Sequence, residues 1–325
     1  MTMLALEGLR VRVGAGRGAL IAVDGVDLDV PAGSVVGLVG ESGSGKSTIA
    51  RAVVGLVRPL EGRIVLDDSD FAGARGARLR ELRRRVQLVF QDPRASLNPR
   101  MTVGDALAEA LTRHRRMDRA ARRAEIARLL DQVALEPRHA SERPAALSGG
   151  QRQRVALARA LAVQPDVIVA DEVTASLDAS VQGSVLNLLR DLQAQTGLSL
   201  VVISHNLAIV RYLSDHIAVM HLGRIVERGT AAAVLADPQH PYTRTLIESI
   251  SLDDLGRAPA QEEAPPPDPQ HPPGGCRFHP LCPIGPRAHP DRTICTERDP
   301  VAVADGRVHR AACHFAALNG SAPHR

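Results

Sequence analysis

The sequence predicts an α/β fold built around a buried parallel sheet, followed by a small cysteine-bearing extension. Three observations predict it. Aliphatic runs of strand length end in glycine-rich or polar loops: "SVVGLVG" from Ser34, "DVIVADE" from Asp166 and "SLVVISHN" from Ser199. Unbroken runs of that kind mark strands buried on both faces. Helical periodicity lies between them: Val155, Ala158, Leu161 and Ala162 share one apolar face of a helix expected from about Gln151 to Val163. All four cysteines of the 325-residue chain, Cys276, Cys282, Cys295 and Cys313, fall beyond a proline-rich tract.

Composition bounds the class. Apolar residues make up 44% of the chain, enough for one large domain or two smaller ones. Aromatics are 2% and Trp is absent, so aliphatic side chains must fill the core. No apolar run is long enough to span a bilayer. The start "MTMLALEGLR" carries Glu7 and no basic cluster, so no signal peptide is expected and the cytoplasm is the expected compartment. Net charge is +4, but the basic residues are interleaved with acids, as in "RRMDRAARRAEIARLL" from Arg115. That pattern reads as a solvated helical face rather than a nucleic-acid surface.

The first aliphatic run leads into "GESGSGKST". Gly40, Gly45, Lys46 and Ser47 have the spacing of a phosphate-binding loop, between a strand and a helix as such a loop requires. Backbone N–H groups across Gly40, Glu41, Ser42, Gly43, Ser44, Gly45, Lys46, Ser47 and Thr48 can cradle phosphate oxygens, and the helix N-terminus adds positive potential. Lys46 is the only lysine among 40 basic residues. A compact ammonium on a flexible stem reaches terminal phosphates in a way that Arg's planar fork does not. Ser47 offers a hydroxyl to Mg²⁺.

The stretch "LSGGQRQRVALARALAVQPDVIVADE" from Leu147 holds a second set. Two glycines precede the helix, Pro165 follows it, and the next strand ends in two carboxylates. Asp171 can hold Mg²⁺ directly or through water, and Glu172 is placed to orient or deprotonate an attacking water. Paired acids at a strand end can also serve as a helix cap or a solvated turn; an upstream phosphate loop favours the catalytic reading.

On these residues the chain resembles the ATP-binding-cassette (ABC) ATPases. "LSGGQRQR" resembles the family's signature motif. Gln91 in "QLVFQDP" matches the glutamine loop, Asp178 in "SLDAS" the D-loop, and His205 in "SLVVISHN" the switch histidine. The resemblance implies a P-loop NTPase with a RecA-like core, an antiparallel β subdomain and a helical subdomain. It implies Mg²⁺ held by Ser47, Gln91 and Asp171, with Glu172, His205 and Gln91 serving hydrolysis. Two such subunits would pair head to tail, with Ser148, Gly149, Gly150 and Gln151 of one completing the ATP site of the other. A lone subunit should then hydrolyse ATP poorly. Three positions depart from the family pattern: no aromatic residue stands near Val13 to stack on adenine, Val173 replaces a common proline, and Asn206 replaces a common aspartate.

The expected organisation is a cassette over 1–235, with a helical subdomain over about 92–162. A post-cassette segment and Pro-rich linker span 236–275, and a four-cysteine extension with a disordered tail spans 276–325. "VFQDPRASLNPRMTVGDALAEAL", "ADPQHPYTRTLIESI" and the cysteine region resemble importer ATPases for oligopeptides and dipeptides. The expected partners are therefore a second ATPase subunit, two membrane permeases and, indirectly, an extracytoplasmic binding protein, at the cytoplasmic face of the membrane. Nickel or another small solute is the alternative cargo. A soluble cassette acting on DNA or ribosomes would be expected to show a coiled-coil insertion or a second cassette. A regulatory cassette without catalysis is opposed by intact Lys46 and Glu172.

The cysteines are spaced Cys276-x5-Cys282-x12-Cys295-x17-Cys313. A disulfide is disfavoured in the cytoplasm. Structural zinc usually takes ligand pairs two to four residues apart, closer than the first pair here. Four thiolates can also hold an iron–sulfur cluster, and the resemblance implies a four-iron, four-sulfur cluster with zinc as the alternative. His279 and His314 lie beside ligand positions. A metal would supply folding energy to a separately stapled module too short for a core of its own.

Overall fold

The three aliphatic runs lie side by side in a seven-stranded sheet. The structure, a computed structural model, describes residues 1–14, 16–71, 73–92, 96–114, 117–175, 177–254, 268, 270–300 and 309–316. The Pro-rich linker between 255 and 267 and the tail from 317 lie outside these residues.

Five strands of the main sheet are parallel: β3 (Val35–Val39), β6 (Val86–Val89), β7 (Val167–Asp171), β8 (Ser199–Ser204) and β9 (His216–His221). Their order is β9-β3-β8-β7-β6, with β10 (Arg224–Thr230) and β11 (Arg310–Ala311) added antiparallel beside β9. Every residue of β3, β7 and β8 is buried, as expected for strands covered on both faces. A second, antiparallel sheet of order β2-β1-β4-β5 is made by β1 (Thr2–Val13), β2 (Leu20–Pro31), β4 (Glu61–Leu66) and β5 (Ser69–Asp70). Its alternating inward residues, such as Leu4, Leu6 and Val11, share an apolar core with α1 (Lys46–Val53) and the lower face of the main sheet.

Helix α2 (Gly76–Arg85) precedes β6. Beyond β6 come α3 (Val103–His114), α4 (Arg119–Gln132) and α5 (Gly149–Leu161). Leu107 and Leu111, Leu129 and Leu130, and Val155 and Leu157 bring these three helices into one apolar cluster. Helix α5 begins two residues earlier than its apolar spacing suggested. Ser148 caps it, accepting from the Gln151 N–H, while the Gln151 side chain accepts from the Ser148 N–H; this reciprocal cap lets the two glycines join the first turn.

Helix α6 (Ala179–Thr196) lies between β7 and β8, α7 (Leu207–Leu213) follows β8, and α8 (Ala231–Ala236) follows β10. Helix α9 (Pro241–Asp254) carries Tyr242, Leu246 and Ile247 into a third apolar cluster with Val39, Val210 and Phe278.

The cysteine extension, expected as a separate module on a tether, is docked on the cassette. Strand β11 pairs with β10 through Glu227↔Ala311 and Arg228↔Arg310. Asp24 of β2 binds Arg277, and Arg224 of β10 binds Asp299. Phe278 is buried against Tyr242 and His221. The extension's own helix is the short α10 (Ile294–Glu297).

Candidate nucleotide site

Four neighbouring parallel strands end at one edge, and each delivers a site residue there. Strand β3 runs into the phosphate loop, β7 ends at Asp171 and Glu172, β8 leads to His205, and β6 leads to Gln91. The C-terminal edge of a parallel sheet is where such folds bind ligands, because loops and helix N-termini converge there.

The phosphate loop wraps Lys46. Its ammonium donates to the Gly40 carbonyl at 2.6 Å, the Glu41 carbonyl at 2.7 Å and Ser44 Oγ at 3.2 Å. Burial holds the Lys46 pKa below its usual value, opposed by the nearby carboxylates of Glu172, Asp171 and Glu41. Gly45 caps α1 in the left-handed region at φ 108°, and a Cβ there would lie 2.2 Å from the Ala22 carbonyl oxygen. The turn therefore has room only for glycine.

Ser47 Oγ donates to Asp171 Oδ1 at 3.1 Å. Burial raises the Asp171 pKa; the Ser47 hydrogen bond opposes this and the Glu172 charge adds to it. Glu172 sits at φ 48°, in the left-handed region that a non-glycine residue rarely adopts. Its N–H donates to the Ile203 carbonyl of β8 at 3.0 Å, which fixes the bend. The bend turns the carboxylate toward Gln91 Nε2, 2.8 Å from Oε2, and His205 Nδ1, 3.1 Å from Oε1.

The signature residues stand apart. Ser148, Gly149, Gly150 and Gln151 form the N-terminus of α5, and Gln151 Nε2 lies 3.1 Å from His139 Nε2. Among the described residues no hydrogen bond joins this turn to the phosphate loop. Asp178 caps α6, accepting from the Val181 N–H at 3.0 Å and Ser180 Oγ at 2.7 Å; the Val181 bond leads in lowering its pKa. Asn206, one of the departures, caps α7 by accepting from the Ala208 N–H at 2.8 Å, as an aspartate would. Val173 is buried.

The four cysteines are free thiols lining one small cavity of about 10 Å³ with His240 and Phe278. Burial pushes Cys276, Cys282 and Cys313 up to about 11 and raises Cys295. Among the described residues no group of three or more His, Cys, Asp or Glu side chains is arranged to hold a metal ion, so the thiols share a cavity without closing to ligand spacing. His279 Nδ1 pairs with the Cys276 carbonyl and His314 Nε2 with the Arg298 carbonyl, each at 2.9 Å.

Sequence reasoning missed the aromatic pocket beside the phosphate loop. Tyr242 is 1% exposed, and its hydroxyl accepts from the Glu41 N–H at 3.0 Å. The available signal was scarcity: Tyr242 is one of two tyrosines in the chain.

Comparison with known proteins gives the same picture. The sequence profile of the ABC transporter family matches residues 23–175, and that of the oligopeptide/dipeptide transporter C-terminal region matches 226–287. A probable peptide ABC transporter ATP-binding protein of Sinorhizobium fredii is 45% identical over 91% of this chain and 83% of its own. A di/tripeptide transport ATP-binding protein of Pseudomonas aeruginosa is 43% identical over 93% of this chain and 92% of its own. Among solved structures, a dimeric ATP-binding cassette in a post-hydrolysis state with ADP and Pi superposes with a TM-score of 0.64 at 31% identity, over 70% of this chain and 99% of that one.

Proposed function

The chain belongs to the ABC transporter ATP-binding proteins, with the C-terminal region of the oligopeptide/dipeptide branch, and from that premise we propose that it hydrolyses ATP to drive peptide import through a membrane permease pair. The observation that carries the reading is the convergence of Lys46, Asp171, Glu172, Gln91 and His205 at the ends of four adjacent strands.

In this reading the triphosphate lies along the loop from Gly40 to Thr48, and its oxygens compete with Gly40 and Glu41 for the Lys46 ammonium. The Ser47 hydroxyl and the Asp171 carboxylate, already 3.1 Å apart, and the Gln91 amide form an oxygen-donor set that fits Mg²⁺. Bound there, Mg²⁺ would neutralise charge on the terminal phosphates. Glu172 orients the attacking water and takes its proton, while Gln91 and His205 hold the carboxylate in line. Burial and the neighbouring Glu172 raise the Asp171 pKa while the Ser47 hydrogen bond opposes the rise, and a bound cation would favour the carboxylate form further.

The signature turn at Ser148 belongs to a partner's site. Its α5 N-terminus would face the γ-phosphate bound by a second subunit, the favourable end of a helix dipole for an anion. A groove of about 890 Å³ between α2, β6, α3 and α5, lined by Arg80, Arg83, Arg113, Arg159 and Phe90, is the docking face for a permease. Phe90 adjoins Gln91, so a docked permease reaches the catalytic carboxylate through two residues. Such docking places the chain at the cytoplasmic face of the membrane.

Peptide cargo is supported by the relatives' names and by the matched C-terminal region. For the cysteines, the resemblance implied a four-iron cluster or zinc, but a cavity of about 10 Å³ with no metal-holding group among the described residues fits neither as the side chains stand, and no step of the reading rests on one. The test of function is reconstitution with a membrane permease pair in proteoliposomes. ATP-dependent uptake of labelled di- or tripeptide, abolished by Glu172→Gln, is expected. Uptake of Ni²⁺ instead of peptide overturns the cargo, and full ATPase activity in Glu172→Gln overturns the mechanism.

A further inference from the structure

The Gly40–Glu41 peptide is held on both sides. Its N–H donates to Tyr242 Oη at 3.0 Å, and its C=O accepts from Lys46 Nζ at 2.6 Å. A trans peptide is planar, with N–H and C=O pointing opposite ways. Fixing one side therefore aims the other. Gly40 is free to turn about its own bonds in a way few residues are: its φ is 157°, and a Cβ would lie 2.0 Å from the Met220 carbonyl oxygen. Something outside the glycine must set this peptide's plane, and the Tyr242 hydroxyl is the partner on its N–H side, opposite Lys46.

Tyr242 is itself locked. Its ring packs 4.4 Å from His221 and 5.4 Å from Phe278, centroid to centroid. Its N–H donates to His240 Nδ1 at 3.1 Å. The preceding backbone is clamped by Glu227 of β10, which is 1% exposed. Glu227 accepts from the N–H groups of Gln239 at 2.7 Å and His240 at 2.9 Å, and pairs with His309 Nε2 at 2.7 Å. The hydroxyl is thus anchored to the main sheet and to the extension, and it bears on the phosphate loop from outside the cassette.

We propose that Tyr242, on the post-cassette helix, is a positioning residue for the phosphate-loop lysine, acting through the Gly40–Glu41 peptide. The proposal rests on the ATPase reading for its consequence, since Lys46 is the group that meets the terminal phosphates. It gives the C-terminal segment a direct part in nucleotide affinity, distinct from any role of the cysteines.

Tyr242→Phe deletes the hydroxyl and keeps the ring against His221 and Phe278. In the full-length chain, the KM for MgATP should rise about five-fold, the size of one lost hydrogen bond, with kcat at saturating ATP within about two-fold and a melting temperature lowered by no more than about 4 °C. Lys46 is the only lysine, so ¹³C-lysine labelling yields one side-chain signal, which should move in Tyr242→Phe. In a Lys46→Ala background Tyr242→Phe should cost no further ATP affinity, because the two changes act on one path. A Tyr242→Phe protein with wild-type KM and an unmoved lysine signal overturns the proposal, as does an equal affinity loss in the Lys46→Ala background. Should Tyr242→Phe fold poorly, 3,5-difluorotyrosine at position 242 weakens the oxygen as an acceptor and should move the signal the same way; an unmoved signal again overturns it. The lysine signal decides the matter even if the wild-type chain proves to lack ATPase activity, which would instead sink the functional reading.

Discussion

His205 Nδ1 lies 3.1 Å from Glu172 Oε1, while the other oxygen of that carboxylate accepts from Gln91 at 2.8 Å. The two partners come from loops after different strands, so Glu172 is gripped from both sides at a backbone bend that holds it off the strand axis. A carboxylate held at both oxygens is restrained, and as the proposed base it would aim a bound water rather than merely attract it.

Glu172→Gln keeps the shape and the Gln91 contact but removes the proton acceptor. Turnover should fall by about 10²–10⁴-fold, with ATP affinity retained, because in the proposed reading the phosphate contacts lie on the loop around Lys46. His205→Ala should lower kcat with little change in ATP binding. Phosphate release and equilibrium binding, measured side by side, check both; a parallel loss of binding would mean that Glu172 holds substrate rather than water.

The separation of Ser148 from the phosphate loop predicts complementation between subunits. Ser148→Arg should block the neighbour's site, and Lys46→Ala should block its own. Each variant alone should be inactive in a symmetric pair. Mixed pairs keep one intact site, built from the loop of one subunit and the signature turn of the other. ATPase assays on equimolar mixtures should recover a fraction, up to roughly half of wild type per mixed pair by symmetry. No recovery at any ratio would rule out the head-to-tail arrangement.

Two buried histidines predict acid lability. Burial pushes His221 down to about 4 and His240 down to about 3, from about 6.5 when unfolded. Both are depressed, so the unfolded chain binds the protons. The stability they contribute is complete above about pH 6.5 and is lost as pH falls toward 4 and 3. His240 Nδ1 also accepts from the Tyr242 N–H, and protonation would remove that acceptor. Melting temperature should therefore decline steadily below about pH 6. His221→Phe should reduce the slope, and a flat profile from pH 7 to 5 would contradict the burial.

Much of this site was legible because its chemistry is local in sequence. Gly40 to Thr48, Asp171 with Glu172, and Ser148 to Gln151 are each contiguous, and each sits where an apolar run meets a loop. What the sequence hid is long-range. The Tyr242 contact to Glu41 spans 201 positions, and the Asp24 contact to Arg277 spans 253. No periodicity encodes such pairings, since they depend on which strand edge the extension finds. The same gap explains the expectation of a tethered module: the thiols suggested a self-sufficient staple, whereas β11 and Arg277 use the cassette's own sheet edge.

That docking predicts how the extension comes loose. Asp24 is 13% exposed at its side chain and accepts from Arg10 at 3.0 Å, from Arg224 at 2.9 Å and from Arg277. Desolvation pushes its pKa up, yet the surrounding guanidiniums, led by Arg224, outweigh this and hold it below the usual carboxylate range. Arg224 binds Asp299 as well, so one carboxylate on β2 organises cations from β1, β10 and the extension. Asp24→Asn would leave three guanidiniums facing a neutral amide. A loss of about 2–4 kcal/mol is expected for breaking such a partly buried network, along with faster proteolytic release of the segment beyond α9. A double-mutant cycle with Arg277→Ala separates docking from general stability: if Asp24 works mainly by holding the extension, the second substitution should add little to the first. Additive losses would assign Asp24 to the cassette alone and leave the extension held by β11 and Glu227.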